Sequence, residues 1–317
     1  MSIFVTILLF FAGVILIVKG GDWFVDAAVW TAKVSGIPKV IVGATIVSIA
    51  TTMPEIIVSL IAAAEGNSGI AVGNAVGSVT ANMGLILSIC AIFNPFSIRR
   101  KDYALKGALM VSATAILYLF CLGGSLTTFG AVLLIAVFAV FIYENILSAR
   151  IKKHHERQKY KPDKKTVTVN IIKFIAGTAG IVIGADLLVD NGSILADSIG
   201  VPEAVIGATV IAIGTSLPEL VTTIASVLKK QGALSVGNII GANIIDTTLI
   251  IPLCSLISGG SLTIERQSYT LDMPISLIIA AISVIPMILY SKLMRWQGIA
   301  MFSVYILYLV IMFTYFM

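Results

Sequence analysis

Gly43-Ala44-Thr45-Ile46-Val47-Ser48-Ile49-Ala50-Thr51-Thr52-Met53-Pro54-Glu55 places a carboxylate just behind a helix-breaking proline, inside an apolar run. The stretch returns without a gap as Gly207-Ala208-Thr209-Val210-Ile211-Ala212-Ile213-Gly214-Thr215-Ser216-Leu217-Pro218-Glu219, 164 positions later. The same offset relates Asp22 to Asp186, Asp26 to Asp190, Gly36-x-Pro38 to Gly200-x-Pro202, and Gly73-Asn74-x-x-Gly77 to Gly237-Asn238-x-x-Gly241. The chain is one pattern written twice, and each copy centres on one acid.

The surroundings of that acid decide the fold class. Of 317 residues, 58% are hydrophobic and 12% charged, and the mean hydropathy is +1.04. That profile belongs to an integral membrane protein. Its apolar runs are continuous, which excludes the alternating strands of a barrel and implies helices of roughly 20 residues. Ten spans are expected, near 3–30, 38–64, 69–93, 103–123, 128–148, 168–196, 202–228, 234–258, 269–290 and 296–316. The run from Ile3 has no basic leader and is read as the first span, not as a secretory signal.

Lys33/Lys39, Arg99/Arg100/Lys101/Lys106, the cluster from Arg150 to Lys165, Lys229/Lys230 and Lys292/Arg295 fall in alternate connections, whereas Arg266 is the only basic residue in the others. The positive-inside rule puts the basic side in the cytoplasm and both termini outside. The net charge of +5 is therefore topological and does not indicate nucleic acid. Residues 1–148 form a first five-helix repeat, 149–167 a basic cytoplasmic linker, and 168–317 a second repeat. Five is odd, so the second repeat is inverted, and helices two and seven are expected to break at their prolines. Inverted halves favour a transporter.

A carboxylate at bilayer depth costs roughly 2.5–3.5 kcal/mol or more, and two without a basic partner repel each other. A bound cation resolves both problems. Around Glu55 and Glu219, proline-freed carbonyls and the hydroxyls of Thr51, Thr52, Thr215 and Ser216 supply oxygen only, which suits a hard ion such as Ca²⁺, Na⁺ or Mg²⁺, with Mg²⁺ least favoured because it sheds water reluctantly. Asn82 and Asp246 each follow their glutamate by 27 positions, adding two more spans to one midplane site.

These residues carry a resemblance. Gly-Thr-Ser-x-Pro-Glu with Gly-Asn-x-x-Gly-Ser/Ala, present twice, resembles the alpha repeats of the sodium/calcium exchanger family within the cation/calcium exchanger superfamily, especially its compact prokaryotic members. The likeness covers nearly the whole chain. It implies an all-α membrane protein and electrogenic exchange of Na⁺ for Ca²⁺ by alternating access, without a cofactor and with lipid and inorganic cations as partners; no obligatory protein partner is evident. It also implies that Glu55 and Glu219, with the carbonyls of Thr51 and Thr215, hold Ca²⁺. Na⁺ would use the same glutamates with Ser48, Thr52, Ser78, Ala212, Thr215 and Ser216, and Asn82 and Asp246 would complete the middle position. The chain departs from the family pattern at Ala50, where glycine is usual, and at Ala242, which replaces the serine seen at Ser78 and leaves neighbouring Asn243 or water as a substitute ligand.

Simpler roles account for other features. The glycine pairs fit close helix packing, Asn74 and Asn238 fit either packing or site support, Asp22, Asp26, Asp186 and Asp190 fit solvated or capping positions, and His154 and His155 belong to the basic loop. Cys90, Cys121 and Cys254 lack metal spacing. Two rival functions remain: an H⁺/Ca²⁺ antiporter, although Gly77 and Gly241 stand where the proton-coupled branch carries its acid, and a passive cation channel, which inverted repeats disfavour. No nucleophile–base pair, P-loop or cofactor motif points to an enzyme.

Overall fold

Hydrocarbon offers no hydrogen bonds, so every backbone N–H and C=O must be paired within its own helix. The computed structural model, which describes residues 3–153, 163–198, 214 and 216–315, is accordingly helical: α1 (Ile3–Ser35), α2 (Lys39–Thr51), α3 (Met53–Ala64), α4 (Ser68–Phe93), α5 (Arg100–Cys121), α6 (Thr128–Lys153), α7 (Lys164–Ser198), α8 (Leu217–Leu228), α9 (Gly232–Ile257), α10 (Ser268–Tyr290) and α11 (Arg295–Tyr315). Among the described residues, eight of these helices are long and apolar enough to cross a membrane, and α2 with α3 forms a ninth candidate bent by 49°. The expected seventh span is described only at Gly214 and from Ser216 onward, chiefly as α8. Helices α6 and α7 extend into the 149–167 linker from either side, to Lys153 and from Lys164. His154 and His155 lie outside the described residues.

Helices α4 and α9 form the buried centre, while α1, α6, α7 and α11 present Phe4, Leu8, Phe11, Phe129, Val140, Ile172, Ile175, Leu307 and Val310 outward. An outer surface so apolar is suited to lipid. Helices α1 and α7 cross where glycine permits backbone contact. A Cβ on Gly13 would lie 2.8 Å from the Gly184 carbonyl oxygen, and one on Gly20 would lie 2.8 Å from that of Gly177. Gly13 corresponds to Gly177 and Gly20 to Gly184 by the repeat offset, so the crossing is reciprocal and antiparallel.

Two short antiparallel ladders tie the connections. Phe96–Ser97 (β1) pairs with Lys292–Leu293 (β4), and Ser125–Thr127 (β2) pairs with Ser261–Thr263 (β3). Helix α5 runs from β1 to β2, and its counterpart α10 runs from β3 back to β4, so the ladders lie at opposite ends of the bundle and these two helices are antiparallel. The basic connections gather at the β1/β4 end: Lys33, Lys39 and Arg99 line one cavity there, and Asn94 Nδ2 donates to the Val227 carbonyl beside Lys229 and Lys230.

Candidate cation site

The bend between α2 and α3 falls at Thr52, whose φ of −83° and ψ of 2° leave the helical range, and α3 restarts with Pro54 in its first turn. Proline tolerates that position because the N–H it lacks has no intrahelical acceptor there. Ser216, the repeat equivalent of Thr52, has φ −87° and ψ 6°, and α8 likewise begins with Pro218 in its first turn. Glu55 and Glu219 therefore occupy the first turn of a helix beginning inside the bundle, where unpaired N–H groups favour an anion. Both are 1% exposed.

Four elements converge on these acids. Thr52 Oγ1 donates to Glu219 Oε1 at 3.1 Å, a direct link between the two motif copies. Ser216 Oγ donates to Ser78 Oγ at 3.1 Å, joining the start of α8 to α4. Asn82 Nδ2 donates to Asn243 Oδ1 at 3.0 Å, joining α4 to α9. Glu219 and Asp246 lie close enough to Glu55 to repel it, and Glu219 repels Asp246. Both carboxylate oxygens of Glu55 and of Asp246, Glu219 Oε2 and Asn82 Oδ1 are buried and have no hydrogen-bond partner among the described residues. Neither a basic side chain nor a cluster of three or more Asp, Glu, His or Cys close enough to hold a metal is recorded at this point among the described residues, so hydroxyls and carbonyls have to share in any ion's shell.

The structure thus brings together Thr52, Glu55, Ser78, Asn82, Ser216, Glu219 and Asp246 of the sequence-derived set. Thr51 lies in the same bend and also reaches the Glu219 side chain, with Asn238 Oδ1 at 3.2 Å and the Ser48 carbonyl at 3.3 Å as further acceptors for its one hydroxyl hydrogen. Ser48 is buried against Gly241, with its hydroxyl donating to the Thr45 carbonyl at 3.2 Å. Ala212 and Thr215 lie outside the described residues.

The supporting residues are more numerous than sequence indicated. Asn238 accepts from Thr51 and donates to Thr222 Oγ1 at 3.1 Å, so it links α2 to α8. Asn74 Nδ2 donates to Ser59 Oγ at 2.9 Å and to the Glu55 carbonyl at 3.3 Å. Thr222 and Ser59 had no signal beyond polarity on helix faces otherwise apolar, and Asn243, expected only as a substitute ligand beside Ala242, accepts from Asn82. The π-helical turns at Asn82–Leu87 and Asp246–Ile250 also had no sequence signature. Each starts at one of the two equivalent amide and acid positions, in keeping with the frequent occurrence of π turns at functional sites. Gly237 and Gly241 let α9 press on the backbones of Val40 and Ala44 in α2. The mirror contacts of Gly73 and Gly77 would involve positions 204 and 208, outside the described residues. Asp22 and Asp26, expected to be solvated or capping, are 47% exposed and in addition meet Lys229 at 3.2 and 2.8 Å, with Asp26 also 3.8 Å from Lys173.

Comparison with known proteins places this arrangement. The profile of the sodium/calcium exchanger protein family matches residues 5–147 and 169–314. The sodium/calcium exchanger MaX1 of Methanosarcina acetivorans is 30% identical over 98% of this chain and 99% of its own length. The inner membrane protein YrbG of Escherichia coli is 33% identical over 86% of each. A solved structure of the sodium-calcium exchanger NCX_Mj superposes with a TM-score of 0.84 at 29% identity, over 98% of this chain and 100% of that one. With both halves matched and a set of buried, partnerless oxygens between them, the chain belongs to the sodium/calcium exchanger family, as a compact member of the prokaryotic type.

Proposed function

We propose that this cation/Ca²⁺ antiporter exchanges Na⁺ for Ca²⁺ electrogenically, by alternating access between two inverted five-helix repeats of ten spans in total, with the basic connections cytoplasmic and both termini outside. The observation that carries the reading is the set of buried, partnerless carboxylate oxygens on Glu55, Glu219 and Asp246. Anions held this way in a low-dielectric interior call for a counter-cation, and a hard ion matches an oxygen-only shell. In this reading Ca²⁺ binds Glu55 and Glu219 with the carbonyls of Thr51 and Thr215. Na⁺ ions occupy sites made by the same glutamates with Ser48, Thr52, Ser78, Ala212, Thr215 and Ser216, and Asn82 and Asp246 form the middle position. Either load offsets charge on the acids, so the loaded site crosses between access states while the empty one is held back by its own charge. The identity of MaX1 as a sodium/calcium exchanger supports sodium as the coupling ion.

The test is uptake of radiolabelled Ca²⁺ into proteoliposomes loaded with Na⁺, with K⁺, or with a proton gradient. Uptake should require internal Na⁺ and respond to membrane potential. Uptake driven by protons and indifferent to Na⁺ would overturn sodium coupling, and flux without a counter-ion would indicate a channel. Glu55→Gln and Glu219→Gln should each lower exchange at least about thirtyfold, since losing one partner of a buried charged contact costs about 2–5 kcal/mol.

A further inference from the structure

We propose that Asn243 is a positioning residue that fixes the side-chain amide of Asn82 with its oxygen toward the carboxylate cluster, and that Met110 in turn fixes Asn243. The inference rests on the cation site described under the proposed function, but it concerns binding of a cation whichever ion drives exchange.

A primary amide has one end that can coordinate a cation and one that cannot: the carbonyl accepts, while the NH₂ only donates. Turned over, Asn82 would put its NH₂ where the partnerless Oδ1 now lies, with two positively polarised hydrogens that cannot coordinate a cation. The orientation in this structure avoids that. Asn82 Nδ2 is occupied by Asn243 Oδ1 at 3.0 Å, and Asn82 Oδ1 is buried and without a hydrogen-bond partner among the described residues. Asn243 cannot turn over at no cost, because its own Nδ2 faces Met110 Sδ at 3.7 Å. A thioether offers lone pairs only, so it accepts weakly from the NH₂ and repels the carbonyl. Met110 and Asn243 are both 0% exposed, so water cannot stand in for either contact.

The chain's own duplication supports this orienting role. The position equivalent to Asn82 is Asp246, whose two oxygens both accept and which needs no orientation. The position equivalent to Asn243 is Val79, which has no group to orient anything. The half with an ambiguous amide has an orienting amide opposite it, and the half with a symmetric carboxylate has none.

The experiment is calorimetric titration of the purified protein with Na⁺ and, separately, with Ca²⁺. Asn243→Leu, which keeps volume and removes the acceptor, should weaken binding of the ion that Asn82 contacts about fivefold, the scale of one buried hydrogen bond. In an Asn82→Asp background, where either end of the side chain is an oxygen, the same substitution should cost less than about twofold. Met110→Leu, a volume-conserving change, should weaken binding about twofold beside Asn82 and leave the Asn82→Asp background unchanged. Equal losses in the two backgrounds would reduce Asn243 to a packing residue and overturn the proposal, as would unchanged affinities. Should Asn243→Leu fail to fold, the Met110→Leu pair decides. A wild-type protein that binds both ions but exchanges Ca²⁺ for protons would sink sodium coupling, while the Na⁺ titrations would still judge the amide.

Discussion

The hydroxyl of Thr52 belongs to the first motif copy, yet its hydrogen bond goes to Glu219 of the second. A hydrogen bond to a charged group contributes about 1.5–3 kcal/mol, and here it fixes one carboxylate oxygen while leaving Oε2 without a partner. Thr52→Val keeps the shape and removes the donor. It should raise the Na⁺ concentration for half-maximal exchange about tenfold, whereas Thr52→Ser should stay close to wild type; Na⁺ titration of Ca²⁺ uptake measures both. The glutamates were legible from sequence because an acid behind a proline in an apolar run has few structural uses. The partners were not. Whether Thr51 offers its hydroxyl to an ion or to Asn238 depends on which face of α9 lies opposite, and no local pattern encodes that.

Among the helices, proline and glycine perform two different jobs. Proline starts α3 and α8 inside the bundle, whereas the paired glycines at 13 and 184 and at 20 and 177 let α1 and α7 touch along their backbones. Between helices surrounded by lipid, such close packing replaces the hydrophobic effect as the source of association. Gly20→Val should push the two helices apart and lower stability by about 1–3 kcal/mol, read as a fall in the thermal unfolding midpoint in detergent, while the same change at exposed Gly66 is expected to act only through its turn. Another interhelix contact pairs buried Lys106 of α5 with Glu144 of α6, and Glu144 Oε1 also accepts from Ser148 Oγ at 2.6 Å. Lys106 was expected among the basic residues at one end, and it does lie in the first two turns of α5, yet it is only 2% exposed. Hydropathy and charge placed the helices to within a few residues, but they did not show which charges would turn inward.

For the whole molecule, the two ladders and the antiparallel pairs α1/α7 and α5/α10 fit a duplicated chain whose halves enter from opposite sides. Cysteine labelling tests that layout, because Cys90, Cys121 and Cys254 are all buried and a membrane-impermeant thiol reagent will meet little background. Cysteines introduced at Ser97 or Lys292 should react from one side of the membrane, and those at Thr127 or Ser261 from the other. Reaction of all four from the same side would defeat the inverted layout. The halves are not interchangeable. Lys229 and Lys173 neutralise Asp22 and Asp26 at one end, but the equivalents of those two lysines are Glu65 and Leu9, so Asp186 and Asp190 have no corresponding cations.

By itself the sequence determined that the chain is a helical membrane protein, that its pattern is duplicated, and that each copy carries one acid with oxygen neighbours inside an apolar run. Those properties follow from composition, period and spacing, which act locally or repeat along the chain. Only the tertiary structure decided that Thr52 holds Glu219, that Asn238 ties α2 to α8, and that Asn82 turns its nitrogen to Asn243. Each of these contacts joins residues more than 150 positions apart, apart from the local link of Asn238 to Thr222. A hydrogen bond is set by distance and direction in space, so its partner was undefined until the two halves packed against each other.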